Sequence, residues 1–538
     1  MTALGFPQAA QAAASSRLAV TVGDAQQYGQ DLRTFLDTIG TATGRATHYN
    51  TREEQVAAEL KAHEAMFRYD RLLYGLLLTL AGNTDRAMQL GIVRLLADRQ
   101  DGRAVNLADR MLIEERVIAH VLAALPVPRL FKMLVMLRQA RVNNARTRRV
   151  IRTALLTQDN LELRAVRYRS KFGEALRHVL GPKLSGILRS ITAKPVETWS
   201  DKEAAIFGRE IARFAPEASA DLLAAVVAFT LGWKQSPSGE TDRLPPLFRQ
   251  YLAARQDLKL GPDLPMETLV GLRGQFHKDL PKTVVLEMAS RNQKTLTRGQ
   301  RMAVQSAAEK AGVEIAFDPA QADAVKLYLY AFERGMTPEI ETALETRAAE
   351  AAAGFPYRFD RVGLLVDASR SMAGSGEQKL RPMAVACATR DMLSRTGSES
   401  AVVYAGGRPD GRLVRPEGET ALAEGLVAVL RQGVDIVYVV TDGYDNAPAG
   451  RFAETVGRIR DLGITIPIVQ LSPVLAAESG GLRSLLGDGT AIPVSDPKAL
   501  ATSMVGPLLA SDPVVVTKVL VETALGRLGC GLEVLSDG

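Results

Sequence analysis

The chain has 538 residues, 46% of them hydrophobic, and a net charge of +6. This length allows more than one domain, and the hydrophobic content supports sizeable cores. Two cysteines, Cys387 and Cys530, exclude a disulfide framework and favour a reducing, cytoplasmic compartment. Met1 to Ser16 lack the basic start and apolar block of a secretory signal, and the longest apolar run, Leu72 to Ala81, is too short to span a bilayer. We therefore expect no membrane partner.

The first 355 residues are predicted to be almost entirely helical, because apolar residues recur at spacings of three and four between short polar, Pro or Gly breaks. Many helices with short connections favour antiparallel pairs stacked as a helical-repeat, HEAT-like solenoid, although no strict sequence period identifies a repeat class. The clearest helical stretches are Arg52 to Tyr69, Leu72 to Ala81, Thr84 to Ala97, Leu107 to Ala124, Leu130 to Ala140, Arg146 to Leu156 and Asp159 to Tyr168.

Positive charge is concentrated in one block of these helices. Residues 125–183 hold 14 Lys or Arg against 3 Asp or Glu, a net charge of +11, whereas residues 356–538 hold 18 against 21. Arg148, Arg149 and Arg152 share one predicted helix face, and the spacing of Arg164 and Arg167 repeats the pattern. A local excess of this kind is an electrostatic footprint for a polyanion.

We interpret this block as an RNA-binding surface, since Lys and Arg bind phosphates and aromatic rings stack on unpaired bases. The alternative is a solvated helix surface with Tyr168 and Phe172 in the core. Such surfaces usually carry acidic residues for i,i+4 pairs, and here acids are scarce. The predicted RNA-binding residues are Arg138, Arg141, Arg146, Arg148, Arg149, Arg152, Arg164, Arg167, Tyr168, Arg169, Lys171, Arg177 and His178.

The pattern changes after the helical part of the chain. Gln235 to Leu244 is predicted to be an exposed loop, and further helices follow it. An Ala-rich stretch, Ala348 to Phe355, then leads across Pro356 into an apolar run typical of a buried strand. We therefore predict two domains, an all-α domain of residues 1–355 and an α/β domain of residues 356–538.

Two predicted strands of the α/β domain end in oxygen-bearing side chains. The strand that contains Val362 to Val366 runs into Asp367, Ser369 and Ser371, which are spaced D-x-S-x-S. Val434 to Val440 is a second buried strand and runs into Thr441-Asp442-Gly443. Ligand-binding loops of open α/β sheets lie at the carboxyl ends of the strands, so these side chains are expected to converge.

Carboxylates and hydroxyls in such loops suit a hard divalent cation, with Mg²⁺ the expected ion. Thr420, which precedes a helical run, is the candidate for a further hydroxyl ligand. The alternative is that Asp367 and Ser369 only cap a helix. The predicted metal ligands are Asp367, Ser369, Ser371, Thr420 and Asp442.

The D-x-S-x-S pattern, completed by T-D-G, resembles the metal-ion-dependent adhesion site of von Willebrand factor A domains. This resemblance implies a doubly wound, Rossmann-like α/β fold. Around it, the whole chain resembles the TROVE-domain proteins of the Ro ribonucleoprotein family. The segments that carry this resemblance are Leu32 to Leu36, Gly40, Gly44, Thr47 to Asn50, Arg146 to Ala154, Arg164 to Lys171, Lys326 to Ala331 and Thr337 to Ala348.

The Ro resemblance implies a monomeric, cytoplasmic protein whose helical repeats bend into a ring beside the A domain. It implies binding of small noncoding Y-RNA-like molecules on the basic surface and passage of 3′ ends of misfolded RNAs through the ring. A 3′-to-5′ exoribonuclease is the further partner implied, with a role in RNA quality control or processing. The metal site would then bind an acidic side chain of a partner.

We expect the chain not to be an enzyme. It has no H-E-x-x-H motif and no Walker loop, and five histidines leave little scope for acid–base chemistry. A rival function needs only the A domain and a generic helical scaffold, namely an adaptor that recruits clients to a MoxR-type ATPase. The two are distinguished by whether the arginines between Arg138 and Arg177 converge on one surface.

Overall fold

The computed structural model describes residues 22–41, 51–97, 107–157, 159–232, 244–353, 355, 358–374, 379–445, 448–473, 483–486, 491–500, 504 and 513–530. Nearly all of the loop predicted at Gln235 to Leu244, and the resemblance segments at Gly44 and Thr47 to Asn50, lie outside these residues.

The helices of the first part of the chain follow the apolar periodicity closely, and two of them have the predicted bounds. The helices are α1 (Val22–Thr41), α2 (Arg52–Tyr69), α3 (Arg71–Leu77), α4 (Asp85–Ala97), α5 (Leu107–Ala124), α6 (Val127–Gln139), α7 (Ala145–Leu156), α8 (Leu161–Arg167), α9 (Arg169–Ile191), α10 (Asp201–Glu210), α11 (Ala220–Leu231), α12 (Pro246–Ala254), α13 (Met266–Phe276), α14 (Lys282–Arg291), α15 (Arg298–Lys310), α16 (Ala324–Arg334) and α17 (Pro338–Ala353).

Local sequence explains several helix ends. Thr51 and Ser200 form capping boxes with Glu54 and Glu203, each of which returns a hydrogen bond to the cap backbone. The apolar run from Leu72 is longer than α3. Beyond the end of α3, residues 78–80 form 3-10-type turns, in which their backbone N–H groups donate to carbonyls of α3. No helix of the described residues is long and apolar enough to cross a bilayer.

Strands alternate with helices after Phe359. The elements are β1 (Phe359–Asp367), α18 (Arg381–Leu393), β2 (Gly397–Ala405), β3 (Arg408–Asp410), β4 (Leu413–Arg415), α19 (Leu422–Leu430), β5 (Ile436–Val440), α20 (Arg451–Asp461), β6 (Ile468–Ser472), β7 (Ile492–Pro493) and α21 (Pro513–Arg527). Five strands form one sheet in the order β2-β1-β5-β6-β7, with every neighbouring pair parallel. The predicted fold class, a helical part followed by a doubly wound α/β part, is confirmed.

The core of the α/β part lies on both faces of its sheet. On one face, Leu365 and Val439 pack with buried residues of α19 and with Phe452 of α20. Helix α18 packs on β1 from the opposite face, and every residue from Pro382 to Leu393 is buried. A surface helix exposes one side to water, so this burial shows that further elements cover α18.

Helices α16 and α17 supply that cover. The Tyr328 hydroxyl of α16 donates to Asp391 at the end of α18. Arg390 donates to Oδ1 of the same carboxylate at 2.9 and 2.6 Å, and Arg412 donates to Oδ2 at 3.0 and 2.8 Å. A buried carboxylate held by two guanidinium groups and a phenol is fully satisfied, so this contact fixes α16 on the α/β part.

The chain divides into two compact units that do not follow the order of the sequence. One unit contains residues 1–92, 102–125 and 319–538, and the other contains residues 93–101 and 126–318. The domain boundary predicted between residues 355 and 356 stays a prediction. The predicted solenoid or ring also stays a prediction.

The second unit is built around α9, which packs against α6, α7 and α11. Gly173 permits close approach to α11, since a Cβ at this position would overlap the carbonyl oxygen of Thr230. Phe172 and Phe131 lie side by side in the interior. Phe172 therefore belongs to the core, as the alternative interpretation of the sequence had it.

Candidate metal centre and nucleic-acid interface

The candidate metal centre lies at the carboxyl edge of the sheet, at the strand where the strand order reverses. Strand β1 has β2 on one side and β5 on the other, so the order in which the chain adds strands reverses at β1. Asp367 is the last residue of β1, and Thr441 follows the last residue of β5. Because Val366 pairs with Val440 in the parallel register, the two loops begin side by side at the carboxyl edge.

Asp367 is fully buried and held by hydrogen bonds at both carboxylate oxygens. Its Oδ1 accepts the backbone N–H of Ser369 at 2.9 Å, and its Oδ2 accepts the hydroxyl of Thr441 at 2.7 Å. The Thr441 oxygen in turn accepts the N–H of Gly443 at 3.1 Å. The carboxylate is therefore fixed in orientation, and it joins the loop after β1 to the loop after β5.

The two serines and the second carboxylate are also brought together. Ser369 Oγ lies 3.1 Å from Ser371 Oγ, and the Ser371 hydroxyl is hydrogen-bonded to the carboxylate of Asp442. Ser371 is exposed, whereas Asp367 and Ser369 are buried. The group thus has a buried base and a side that is open to solvent.

Thr420 reaches the site by a different route. The backbone N–H of Glu417 donates to Ala368 O at 3.0 Å, and that of Arg370 donates to Gly418 O at 3.2 Å. The segment before Thr420 is thereby tied to the D-x-S-x-S loop, and Thr420 itself is buried. Within the described part of the chain, no hydrogen bond joins its side chain to the other four predicted ligands.

The electrostatics of the site suit a divalent cation. Burial raises the pKa of Asp367 to about 6, and the neighbouring charge of Asp442 adds to the rise. Burial also raises the pKa of Asp442, against the hydrogen bond from Ser371 and the charge of Arg483. Two carboxylates and two hydroxyls that share one site supply only oxygen ligands, and a cation would offset the repulsion between the carboxylates. The residues present therefore fit Mg²⁺.

Sequence reasoning missed a segment that borders this site. Gln470 of β6 is buried, and its amide donates to Arg483 O and accepts from Leu485 N, both at 2.8 Å. This bracket holds Arg483 against Gly443, where an added Cβ would lie 2.6 Å from Arg483 Cβ. The Arg483 guanidinium lies over the ring of Tyr444, 4.1 Å from its centroid. No spacing in the sequence marks these long-range contacts.

Several basic residues of the block bind acidic side chains within the second unit. Arg152 is buried and donates to Glu210 at 2.8 Å, so it does not share an exposed face with its neighbours on α7. The Arg138–Glu174 ion pair has an N–O distance of 3.3 Å, and the Arg167–Glu267 pair one of 3.5 Å. These pairs connect α6 to α9, α7 to α10, and α8 to α13.

Other members of the block bind backbone or aromatic groups. Arg169 donates to Phe229 O at 3.0 Å and to the Tyr251 hydroxyl at 3.1 Å, and Arg177 donates to Leu231 O at 3.1 Å. Both arginines thereby hold the carboxyl end of α11.

The two remaining ring residues of the block also make internal contacts. His178 Nε2 lies 2.8 Å from Val142 O. The ring of Tyr168 stacks on Phe131 at 4.7 Å. The RNA-binding role of these residues stays a prediction.

A smaller set of the predicted residues faces solvent. Arg141, Arg149 and Lys171 are exposed, while Arg146, Arg148 and Arg164 are half-buried. Burial lowers the pKa of Arg164, against the charge of Asp159. Arg148 donates to Asn143 O at 3.0 Å. The block therefore contains both internal and accessible cations.

No protein-family model matches the chain, and its sequence has no significant match among curated proteins. Among solved structures, the chain is similar to the crystal structure of the Ro (RSR) protein of Deinococcus radiodurans. The match covers 90% of this chain and 100% of that one, with 16% identity and a TM-score of 0.38. The Ro family is the one that the sequence resembles. At this identity and TM-score, we infer nothing about binding or activity from the match.

Proposed function

We propose that the chain is an RNA-binding protein that forms a ribonucleoprotein with a small noncoding RNA. The observation that supports this best is the net charge of +11 in residues 125–183, part of which is accessible at Arg141, Arg149 and Lys171. Two of the three acids of the block have partners of their own: Glu174 pairs with Arg138, and Glu162 accepts the N–H of Leu247 at 2.5 Å. Phosphates can reach these exposed cations.

The finer form of the proposal follows the family resemblance. The RNA is Y-RNA-like, and the chain also binds 3′ ends of misfolded RNA, as a monomer in the cytoplasm. It acts in RNA quality control or processing together with a 3′-to-5′ exoribonuclease and is not itself an enzyme. Mg²⁺ bound by Asp367, Ser369, Ser371, Thr420 and Asp442 would leave a position open for a carboxylate of a partner, which is the chemistry that a hard cation supplies there.

The test compares RNA binding by wild-type protein and by a variant with Arg141, Arg149 and Lys171 changed to Ala. RNA that copurifies from the native host is identified first, and its affinity is then measured across a salt series. Each phosphate contact that is lost should make the slope of log affinity against log salt shallower by about 0.7 to 0.9. The matched control changes three exposed lysines of the same unit to Ala, namely Lys202, Lys259 and Lys278. Equal affinity and slope in both variants would refute the proposal.

A second candidate function, an adaptor for a MoxR-type ATPase, is favoured by one observation. Arg152, Arg167 and Arg169 contribute to packing within the second unit, whereas the residues of the metal site belong to the first unit. In this case no discrete RNA would copurify, and capture of the ATPase would require Mg²⁺ and an intact Asp442.

A further inference from the structure

Two arginines bind one carboxylate at the end of α10, and the charges of two more act on one of them. Arg209 and Glu210 are the last residues of α10, and Arg213 follows in a short 3-10 helix, Ala212–Phe214. Arg148 and Arg152 come from α7, which packs against this 3-10 helix. All of these residues belong to the second unit, and neither Arg209 nor Arg213 lies in the basic block of residues 125–183.

The single carboxylate is already occupied at both oxygens. Arg152 Nη2 lies 2.8 Å from Glu210 Oε2, and Arg209 Nε lies 2.8 Å from Glu210 Oε1. Its charge is therefore shared between two guanidinium groups. Arg148 and Arg213 add two more positive charges, so the cluster has a net charge of +3.

Two of the guanidinium groups contact the ring of Phe214. Arg213 lies 4.6 Å from the ring centroid, and Arg152 lies 5.4 Å from it. Contact with an aromatic face restricts a guanidinium group without using its N–H donors. The side chain of Arg213 is exposed, so a ligand can reach its N–H donors.

Arg152 is the least satisfied member of the cluster. Only 7% of the residue is exposed, and its Nε is buried without a hydrogen-bond partner among the described residues. Burial lowers the pKa of Arg152; Glu210 opposes this effect, while the charges of Arg213 and Arg148 add to it. An anion bound beside the cluster would offset the repulsion between these charges.

We propose that Arg148, Arg152, Arg209 and Arg213 form a phosphate-binding site that takes the backbone of single-stranded RNA. One phosphodiester carries a single negative charge and would neutralise only part of the net charge of +3. Consecutive nucleotides of an RNA strand bring one negative charge each. One guanidinium group can donate to two phosphate oxygens at the same time. Arg209 and Arg213 are exposed, so the RNA strand can reach them. The inference rests on the proposed RNA-binding function and extends it from α7 to α10 and the 3-10 helix.

The test measures binding of a single-stranded oligouridylate by fluorescence anisotropy across a salt series. Arg213→Ala should weaken binding about tenfold, the effect of losing about 1.4 kcal/mol of charge-assisted hydrogen bonding. Its salt slope should be shallower by about 0.7. Arg213→Lys, which keeps the charge, should recover part of the affinity. The matched control is Arg255→Ala, another exposed arginine of the same unit, whose guanidinium lies 5.0 Å from the centroid of Phe276.

The outcomes separate this site from the wider function. If wild type binds the oligonucleotide and Arg213→Ala binds it equally well, the phosphate site is overturned while the RNA-binding function stands. A tenfold loss with an unchanged salt slope, or an equal loss in Arg255→Ala, also overturns the site, since the effect would not come from this charge. If wild type binds neither the oligonucleotide nor any copurifying RNA, both are overturned. Arg152 is not substituted, because it is buried and its replacement would destabilise the fold, which would lower RNA binding for a different reason.

Discussion

Replacing Asp367 with Asn should change stability in opposite directions without and with Mg²⁺. Burial raises the pKa of Asp367 to about 6 in the folded, metal-free chain, from an ordinary value of 3.8. The folded state therefore holds this proton more tightly than the unfolded state, and stability falls as the pH rises from 3.8 through 6. At neutral pH the cost is about 3 kcal/mol, since each pKa unit corresponds to about 1.4 kcal/mol.

Asparagine keeps the shape of the side chain without its charge, and the Thr441 hydroxyl can rotate to accept from the new amide. In EDTA at neutral pH, Asp367→Asn should thus unfold at a higher urea concentration than wild type. Saturating Mg²⁺ should reverse the order, because at about 1,000 times its Kd the cation adds about 4.1 kcal/mol to wild type, more than the cost of about 3 kcal/mol. The variant gains little, since it lacks a ligand carboxylate.

The assay is urea unfolding of both proteins in EDTA and in Mg²⁺. Asp461→Asn, which removes an exposed carboxylate at the end of α20, controls for the change in net charge. The reasoning is refuted if Mg²⁺ stabilises Asp367→Asn as much as wild type. It is also refuted if the variant is the less stable protein in EDTA, because the buried charge would then cost nothing.

Three further predictions concern other parts of the molecule. His63 is buried with Nδ1 at 2.7 Å from the Tyr74 hydroxyl, and burial lowers its pKa to about 4. Urea unfolding should show that stability falls by up to about 3 kcal/mol as the pH drops from 6.5 towards 4. The fall should be smaller in His63→Phe. In size-exclusion chromatography, a fragment of residues 356–538 should aggregate more than one of residues 319–538, because only the shorter fragment uncovers α18. Gly443→Ala should weaken Mg²⁺ binding in calorimetry, since φ is +86° and the new Cβ meets Arg483; Gly450→Ala, at φ +81° with open space around it, should not.

The α/β part and most of its site could be predicted because their signals are local. A strand that is buried on both faces is a continuous apolar run, and the residue after it lies at the carboxyl edge wherever the strand sits in the sheet. Asp367 and Asp442 needed only that rule. Helix bounds were predictable for the same reason, since periodicity and caps lie within one segment.

Which arginines of the basic block bind internal partners, and which face solvent, could not be predicted in the same way. Periodicity places Arg152 on a helix face, but whether that face meets water depends on Glu210, which is 58 residues further along the chain. The same holds for Arg169 and the carboxyl end of α11. No sequence pattern marked Gln470 and Arg483, because a contact between distant segments of the chain requires no fixed spacing in the sequence.

The interleaved order of the two units has a consequence for biosynthesis. Helix α3 packs against α21, yet 436 positions separate the end of one from the start of the other. At about 5 to 20 residues per second, a ribosome needs about 20 to 90 s to supply that partner. The second unit is nearly contiguous and can fold during this interval, while α3 still lacks its contact with α21. We expect this helix to be the part of the nascent chain that chaperones protect longest.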